Sequence, residues 1–205
     1  MKLYYSPGAC SLAPHIVALE AGVSLTLDKV DLKEKKTADG RDYLAINPKG
    51  YVPALELDSG ELLTEGPAID QYLADLKPES GLAAANGTMA RYQLQSLLNY
   101  ITSEIHKTYS PLFAPDTPEA TVANRKAYLQ KRYAFLDAIL ARQPWLMGER
   151  FGVADAYLFT VTRWAKAVQV DLSAFTALAD FQKRAQERPA VQAALQAEGL
   201  GHHAR

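Results

Sequence analysis

The sequence has 205 residues, 48% of them hydrophobic, which suffices for one large domain or two modest ones with an apolar core that needs neither disulfides nor a metal. Lys and Arg number 22 against 23 Asp and Glu, a balance that gives no pull toward nucleic acid or an anionic membrane, and no apolar run approaches membrane-spanning length. The lone cysteine, Cys10, excludes an internal disulfide and fits a reducing compartment, and the opening residues lack the pattern of a secretory signal, so a cytoplasmic protein is expected.

Lys2-Leu3-Tyr4-Tyr5 is an aromatic and apolar run that stops at Pro7-Gly8. From Ser11 to Ala21, Leu12, Ile16 and Leu19 recur at helical spacing before Gly22, so strand, turn and helix follow one another. Thr26 to Leu32 alternates apolar with polar as a half-buried strand does, and the Lys-rich stretch Lys33 to Gly40 reads as polar connection. A short helix around Asp42 to Ile46 must end before Pro48. Ala54 to Leu57 and Glu61 to Leu63 flank Asp58-Ser59-Gly60 as a hairpin, and a helix from about Glu65 to Leu76 follows Thr64. The order is β-α-β-α-β-β-α, with the first two strands parallel and the last pair antiparallel.

Lys77 to Gly81 and Asn86-Gly87 read as linker, which sets the expected domains at residues 1–80 and 87–205. Everything beyond is helical. Leu94, Leu97, Leu98, Ile101 and Ile105 form an apolar stripe, a second helix spans about Glu119 to Arg142, and a third buries Ala154, Tyr157, Leu158, Val161, Trp164, Ala165 and Val168. Two shorter helices break at Pro189, and the terminal His202-His203 is too short for a metal tract.

Cys10 closes the Ser6-Pro7-Gly8-Ala9 turn at the start of the first helix, where unpaired N–H groups and the helix dipole favour a thiolate. The other reading is a small residue that packs and never ionises. With no second cysteine there is no Cys-x-x-Cys couple, so a thiol site here needs an external thiol. Pro53 either stops an edge or forms a cis bond that turns the Val52 backbone toward a peptide-like ligand. Thr64-Glu65-Gly66-Pro67 either merely caps a helix or holds a carboxylate on its N–H groups and an ammonium on Glu65. Asn99, Ser103 and His106 share one helix face, which is solvated surface or a site, while His15 is assigned to structure. Four histidines and one cysteine without ligand spacing argue against a metal centre.

Taken in order, these features resemble a bacterial beta-class glutathione S-transferase over essentially the whole chain. The resemblance rests on Met1 to Leu12, Asn47 to Leu55, Leu63 to Ile69, Leu98 to Ile101 with Glu104 to Lys107, and Phe151 to Tyr157. It implies a thioredoxin-like α/β N-terminal domain followed by an all-α domain, the cytosolic glutathione transferase architecture. It further implies glutathione as cosubstrate, with Cys10 facing its sulfur and able to form a mixed disulfide, and with Val52 pairing the tripeptide backbone beside cis-Pro53. Glu65 and Gly66 would hold the γ-glutamyl end and Lys35 the glycine end. Asn99, Ser103, Glu104, Ile105 and His106 would reach the site from the helical domain, some across a homodimer interface. His106 would act near the thiol as a catalytic residue, with Lys107 and Tyr5 toward the electrophile. Two departures stand out: Gly66 replaces the Ser of many transferases, and Gly152 replaces the hydroxyl residue that opens the helix-capping box with Asp155.

The implied reaction is attack of the glutathione thiolate on an electrophilic carbon or a disulfide. Two rivals remain: a glutaredoxin-like thiol transferase with Cys10 itself as nucleophile, and a non-enzymatic ligand-binding or regulatory protein of the same fold.

Overall fold

The computed structural model describes residues 1–201, so the His202-His203 pair lies outside the described residues. In chain order the elements begin β1 (Lys2–Tyr5), α1 (Leu12–Ala21), β2 (Thr26–Asp31), β3 (Lys36–Thr37), α2 (Tyr43–Ile46), β4 (Ala54–Glu56), β5 (Leu62–Thr64) and α3 (Gly66–Asp75). They continue with α4 (Met89–Tyr100), a π-helical segment (Ile101–His106), α5 (Lys107–Tyr109), α6 (Glu119–Leu140), α7 (Val153–Thr162), α8 (Trp164–Ala167), α9 (Thr176–Gln186) and α10 (Pro189–Ala197). The chain forms two compact units, Met1–Ala83 with the segment from Glu187, and Ala84–Gln186. Residues expected in the helical domain from 187 onward therefore pack with the first unit.

The first unit is built on a sheet of order β3-β2-β1-β4-β5. β1 runs parallel to β2 and antiparallel to β4, and β4 pairs antiparallel with β5 as the hairpin signal indicates. Leu3 and Leu55 lie opposite each other across β1 and β4, both fully buried. The helix α1 buries Leu12, Ile16 and Val17 and ends at Gly22, whose φ of 70° suits a residue without Cβ. One strand departs from the expected order: Lys36–Thr37 pairs with β2 inside the stretch read as polar connection. Two residues on an edge carry no alternation, and the Thr37 hydroxyl, which accepts from the Arg41 N–H at 3.0 Å, anchors that return locally.

The helix α10 packs on α1, and the Arg188 guanidinium grips the Glu20 carboxylate of α1 at 2.5 and 2.9 Å. The side chain of Glu198, just past α10, is fully buried and accepts from the Gly8 N–H at 2.9 Å while its other oxygen lies 2.9 Å from His15 Nδ1. The C-terminal segment thus holds the turn before Cys10.

In the second unit, Thr88 caps α4 and Leu94, Leu98, Ile101 and Ile105 are buried along one continuous helical run. That run is not uniform, since Ile101–His106 is π-helical, a widened turn found often at functional sites. The helix expected to continue to Val168 divides into α7 and α8 beyond Thr162. All of α7 is buried, and its first turn rests on Asp155, whose carboxylate accepts from the N–H groups of Gly152 and Leu146 at 2.9 and 2.8 Å. The acidic half of the capping box stands without the hydroxyl half. Among the described residues no helix is long and apolar enough to cross a membrane.

Candidate functional site

The turn that carries Cys10 is held from within and from a distance. Ser11 Oγ accepts from the Ser6 N–H at 3.1 Å and lies 3.2 Å from the Ser6 carbonyl, and Glu198 takes the Gly8 N–H. Gly8 has a φ of 72°, and a Cβ there would meet the Leu200 side chain at 3.6 Å. The sulfur of Cys10 donates to the Val52 carbonyl at 3.1 Å, which makes it a thiol. Its pKa is pushed up to about 12, first by burial, with the Asp70 and Glu65 carboxylates adding to the rise against the opposing backbone N–H groups of Cys10 and Ser11. Burial and the two carboxylates thus oppose the thiolate that the N-terminal dipole of this helix favours.

The Val52-Pro53 bond is cis, so the chain here is not a simple edge stop, and the Val52 carbonyl is occupied by Cys10. Glu65 opens α3 with a φ of 73°, a region that costs a non-glycine residue on the order of 1–3 kcal/mol. Its exposed carboxylate meets the Lys49 ammonium at 2.7 Å, and Lys49 also donates to Thr64 Oγ1 at 2.9 Å. Glu65 is thus already posed against one ammonium. A Cβ on Gly66 would meet only Pro53 Cγ, at an ordinary 3.8 Å, so the absent side chain is not a steric necessity. Lys35 donates to the Gly50 carbonyl at 2.9 Å, and Tyr5, half-buried on β1, has its hydroxyl pKa raised by burial and then by Glu198.

Within the second unit the polar face expected along one helix divides. Asn99 and Ser103 are exposed and return hydrogen bonds to the Gln95 and Asn99 carbonyls at 2.8 and 3.0 Å. His106 leaves that face: Nδ1 lies 2.6 Å from the Tyr157 hydroxyl, and the ring meets Trp164 edge-on at 4.9 Å. The π turn changes the residues-per-turn count just where the spacing argument assumed a regular helix. Glu104 accepts from the Tyr128 hydroxyl and sits 2.8 Å from the Arg132 guanidinium, Ile105 is core, and Lys107 is exposed. Trp164 also takes Tyr109 and Phe113 edge-on, completing an aromatic cluster with His106.

Spacing arguments missed Glu198, Lys49, Tyr157 and Asp70. The first three lie far along the chain from their partners. Asp70 carried a readable signal, because with Ile69, Leu73 and Ala74 it occupies the apolar phase of α3. It is wholly buried and neither oxygen has a hydrogen-bond partner. Burial alone raises its carboxyl well above the ordinary 3.8. No group of three or more His, Cys, Asp and Glu among the described residues is placed to hold a metal.

Family models place these features in a known frame. Residues 8–76 match the glutathione S-transferase N-terminal domain and residues 100–189 the C-terminal domain. The chain is 52% identical to glutathione S-transferase GstA of Escherichia coli O157:H7 over 98% of its own length and 100% of that protein. Among solved structures it is 49% identical, with a TM-score of 0.94, to a sphingomonad glutathione S-transferase complexed with glutathione, covering 98% of this chain and all of that one. It matches a bacterial beta-class glutathione S-transferase of Sphingomonas chungbukensis at 46% identity and a TM-score of 0.94, with the same coverage. Matched over nearly its whole length by these relatives and by both domain models, the chain belongs to the bacterial beta-class glutathione S-transferases.

Proposed function

We propose that this glutathione transferase binds the tripeptide along Val52 and cis-Pro53, conjugates its sulfur to electrophilic small molecules and exchanges disulfides through Cys10. The 3.1 Å contact between Cys10 Sγ and the Val52 carbonyl carries the reading, because it brings a thiol to the backbone edge that a peptide cosubstrate would pair with. A thiol with a pKa near 12 is a donor at neutral pH, so Cys10 can turn its S–H from Val52 to a bound glutathione thiolate and stabilise it. Glu65 receives the γ-glutamyl ammonium in concert with or in place of Lys49, the N–H groups opening α3 receive the neighbouring carboxylate, and Lys35 takes the glycine end. In the second unit Asn99, Ser103 and Glu104 supply polar contacts, and His106 with Lys107 serves the thiol and the electrophile beside the Trp164 cluster. Tyr51, Met89 and Tyr92, which are 68%, 71% and 57% exposed, suit burial in a homodimer. The cytoplasm, reducing and rich in thiols, suits the chemistry.

The test is calorimetric titration of glutathione into the reduced protein, with intact mass recorded after exposure to oxidised glutathione. Saturable binding and a one-glutathione adduct that disappears in Cys10→Ala are expected. Binding without an adduct would restrict the activity to conjugation, and absence of binding would favour a non-enzymatic carrier or regulator.

A further inference from the structure

His106 stands half-buried at the end of the π-helical segment, and its ring is held from two sides. Tyr157, which belongs to the wholly buried α7 and is itself 2% exposed, meets it edge-on at 5.7 Å, and Trp164 of α8 does so at 4.9 Å. The Tyr157 hydroxyl lies 2.6 Å from Nδ1 of that ring and 3.4 Å from Thr102 Oγ1. Thr102 spends its one hydroxyl proton on the Leu98 carbonyl at 2.8 Å, so toward Tyr157 it can only accept. Between these two acceptors the near one is favoured, and the length of the contact agrees. An N–H donor ordinarily stands roughly 2.7–3.2 Å from its acceptor and a hydroxyl donor about 2.5–3.0 Å. A separation of 2.6 Å is that of a hydroxyl donating to a bare ring nitrogen.

We propose that Tyr157 is a positioning residue for His106: its hydroxyl donates to Nδ1, which confines the proton of the neutral imidazole to Nε2 and makes that edge a hydrogen-bond donor to the glutathione sulfur. The role rests on the placement of His106 at the thiol given above. The tautomer of a histidine is set by the hydrogen bond its other nitrogen makes. A carboxylate in the place of this phenol would accept from Nδ1–H and leave Nε2 as a base, whereas a phenol that donates does the reverse. The glutathione thiol then gives its proton to solvent, Nε2 keeps its own, and the N–H stabilises the sulfur anion without removing the proton that formed it. Packing by Tyr157 and Trp164 holds the ring in one orientation, so the donor is in place before the anion forms.

The experiment measures kcat and KM for glutathione with chlorodinitrobenzene, and titrates the ultraviolet absorbance of glutathione thiolate bound to the full chain, with the glutathione-free chain subtracted. Tyr157→Phe keeps the ring and removes the hydroxyl. It should raise the midpoint of the bound thiol and lower kcat roughly tenfold, with KM for glutathione little changed. His106→Gln should do at least as much, and Tyr157→Phe added to His106→Gln should cost nothing further. A merely structural role would lower kcat in both backgrounds alike and leave the midpoint where it was, which would overturn the proposal. A parent-like Tyr157→Phe beside an impaired His106→Gln would overturn it too and leave His106 at the thiol. A parent-like His106→Gln would remove His106 from the thiol and the proposal with it. If Tyr157→Phe fails to fold, nitrogen NMR of the histidine-labelled parent decides, in mildly alkaline buffer where an ordinary imidazole is neutral. With the His106 signals identified by their loss in His106→Gln, the proton should be on Nε2, and a proton on Nδ1 would overturn the proposal.

Discussion

Asp70 and Asp155 are both wholly buried, one midway along α3 and the other in the first turn of α7, and their surroundings are opposite. Asp155 in the second unit spends one oxygen on the Gly152 N–H and the other on the Leu146 N–H, so its burial secures α7 and the loop before it. Asp70 in the first unit has no hydrogen bond to either oxygen, and burial raises its carboxyl well above the ordinary 3.8. A buried carboxylate with donors is architecture, whereas one without donors lowers stability.

The comparison breaks most visibly at Asp155. Asp155→Ala strands two buried N–H groups and should cost about 3 kcal/mol in urea unfolding; a loss under about 1 kcal/mol would mean the cap is redundant. Glu65, an exposed carboxylate with a cation partner, is the intermediate case. Glu65→Ala should leave stability nearly unchanged and weaken glutathione binding by roughly 1.5–3 kcal/mol in calorimetry, and unchanged affinity would remove it from the site.

Asp70→Val should act in the opposite sense to Asp155→Ala, raising stability by about 1 kcal/mol at neutral pH. The sign follows from burial: the folded carboxyl ionises well above the ordinary 3.8, so the folded state is penalised little below that pH and increasingly as pH rises toward the folded value. The gain from Val, read by thermal unfolding, should therefore widen as pH rises above the ordinary 3.8, and a gain constant with pH would show that Asp70 is not the cause. The smallest effect is expected at Gly66. Its Cβ space is open to 3.8 Å, so Gly66→Ser should change stability by less than about 0.5 kcal/mol and tighten glutathione modestly by adding a hydroxyl donor.

Much of this was legible in the residues. The Asp58-Ser59-Gly60 turn between β4 and β5, the Gly22 stop of α1 and the Pro189 break each act through one or two residues of backbone chemistry, and the structure has all three. The π turn and β3 were not legible, because neither has a local pattern distinct from ordinary helix or loop. The candidate site was legible as a set of residues and not as a set of states. Cys10 stands where a helix dipole favours a thiolate, and what opposes that preference is burial first and then the Asp70 and Glu65 carboxylates.

The sequence by itself determined the order of the strands and helices apart from β3 and the π turn, the change of texture near residue 80, the single thiol and the family, since each depends on short-range periodicity or on motifs read in line. Only the tertiary structure decided that the Cys10 sulfur is buried against the Val52 carbonyl, that His106 turns to Tyr157, that Glu198 holds the turn before Cys10, and that Asp70 is shut away without a donor. The reason is physical: backbone preferences act over a few residues, whereas desolvation, Coulomb interaction and hydrogen-bond supply depend on groups that only folding brings together.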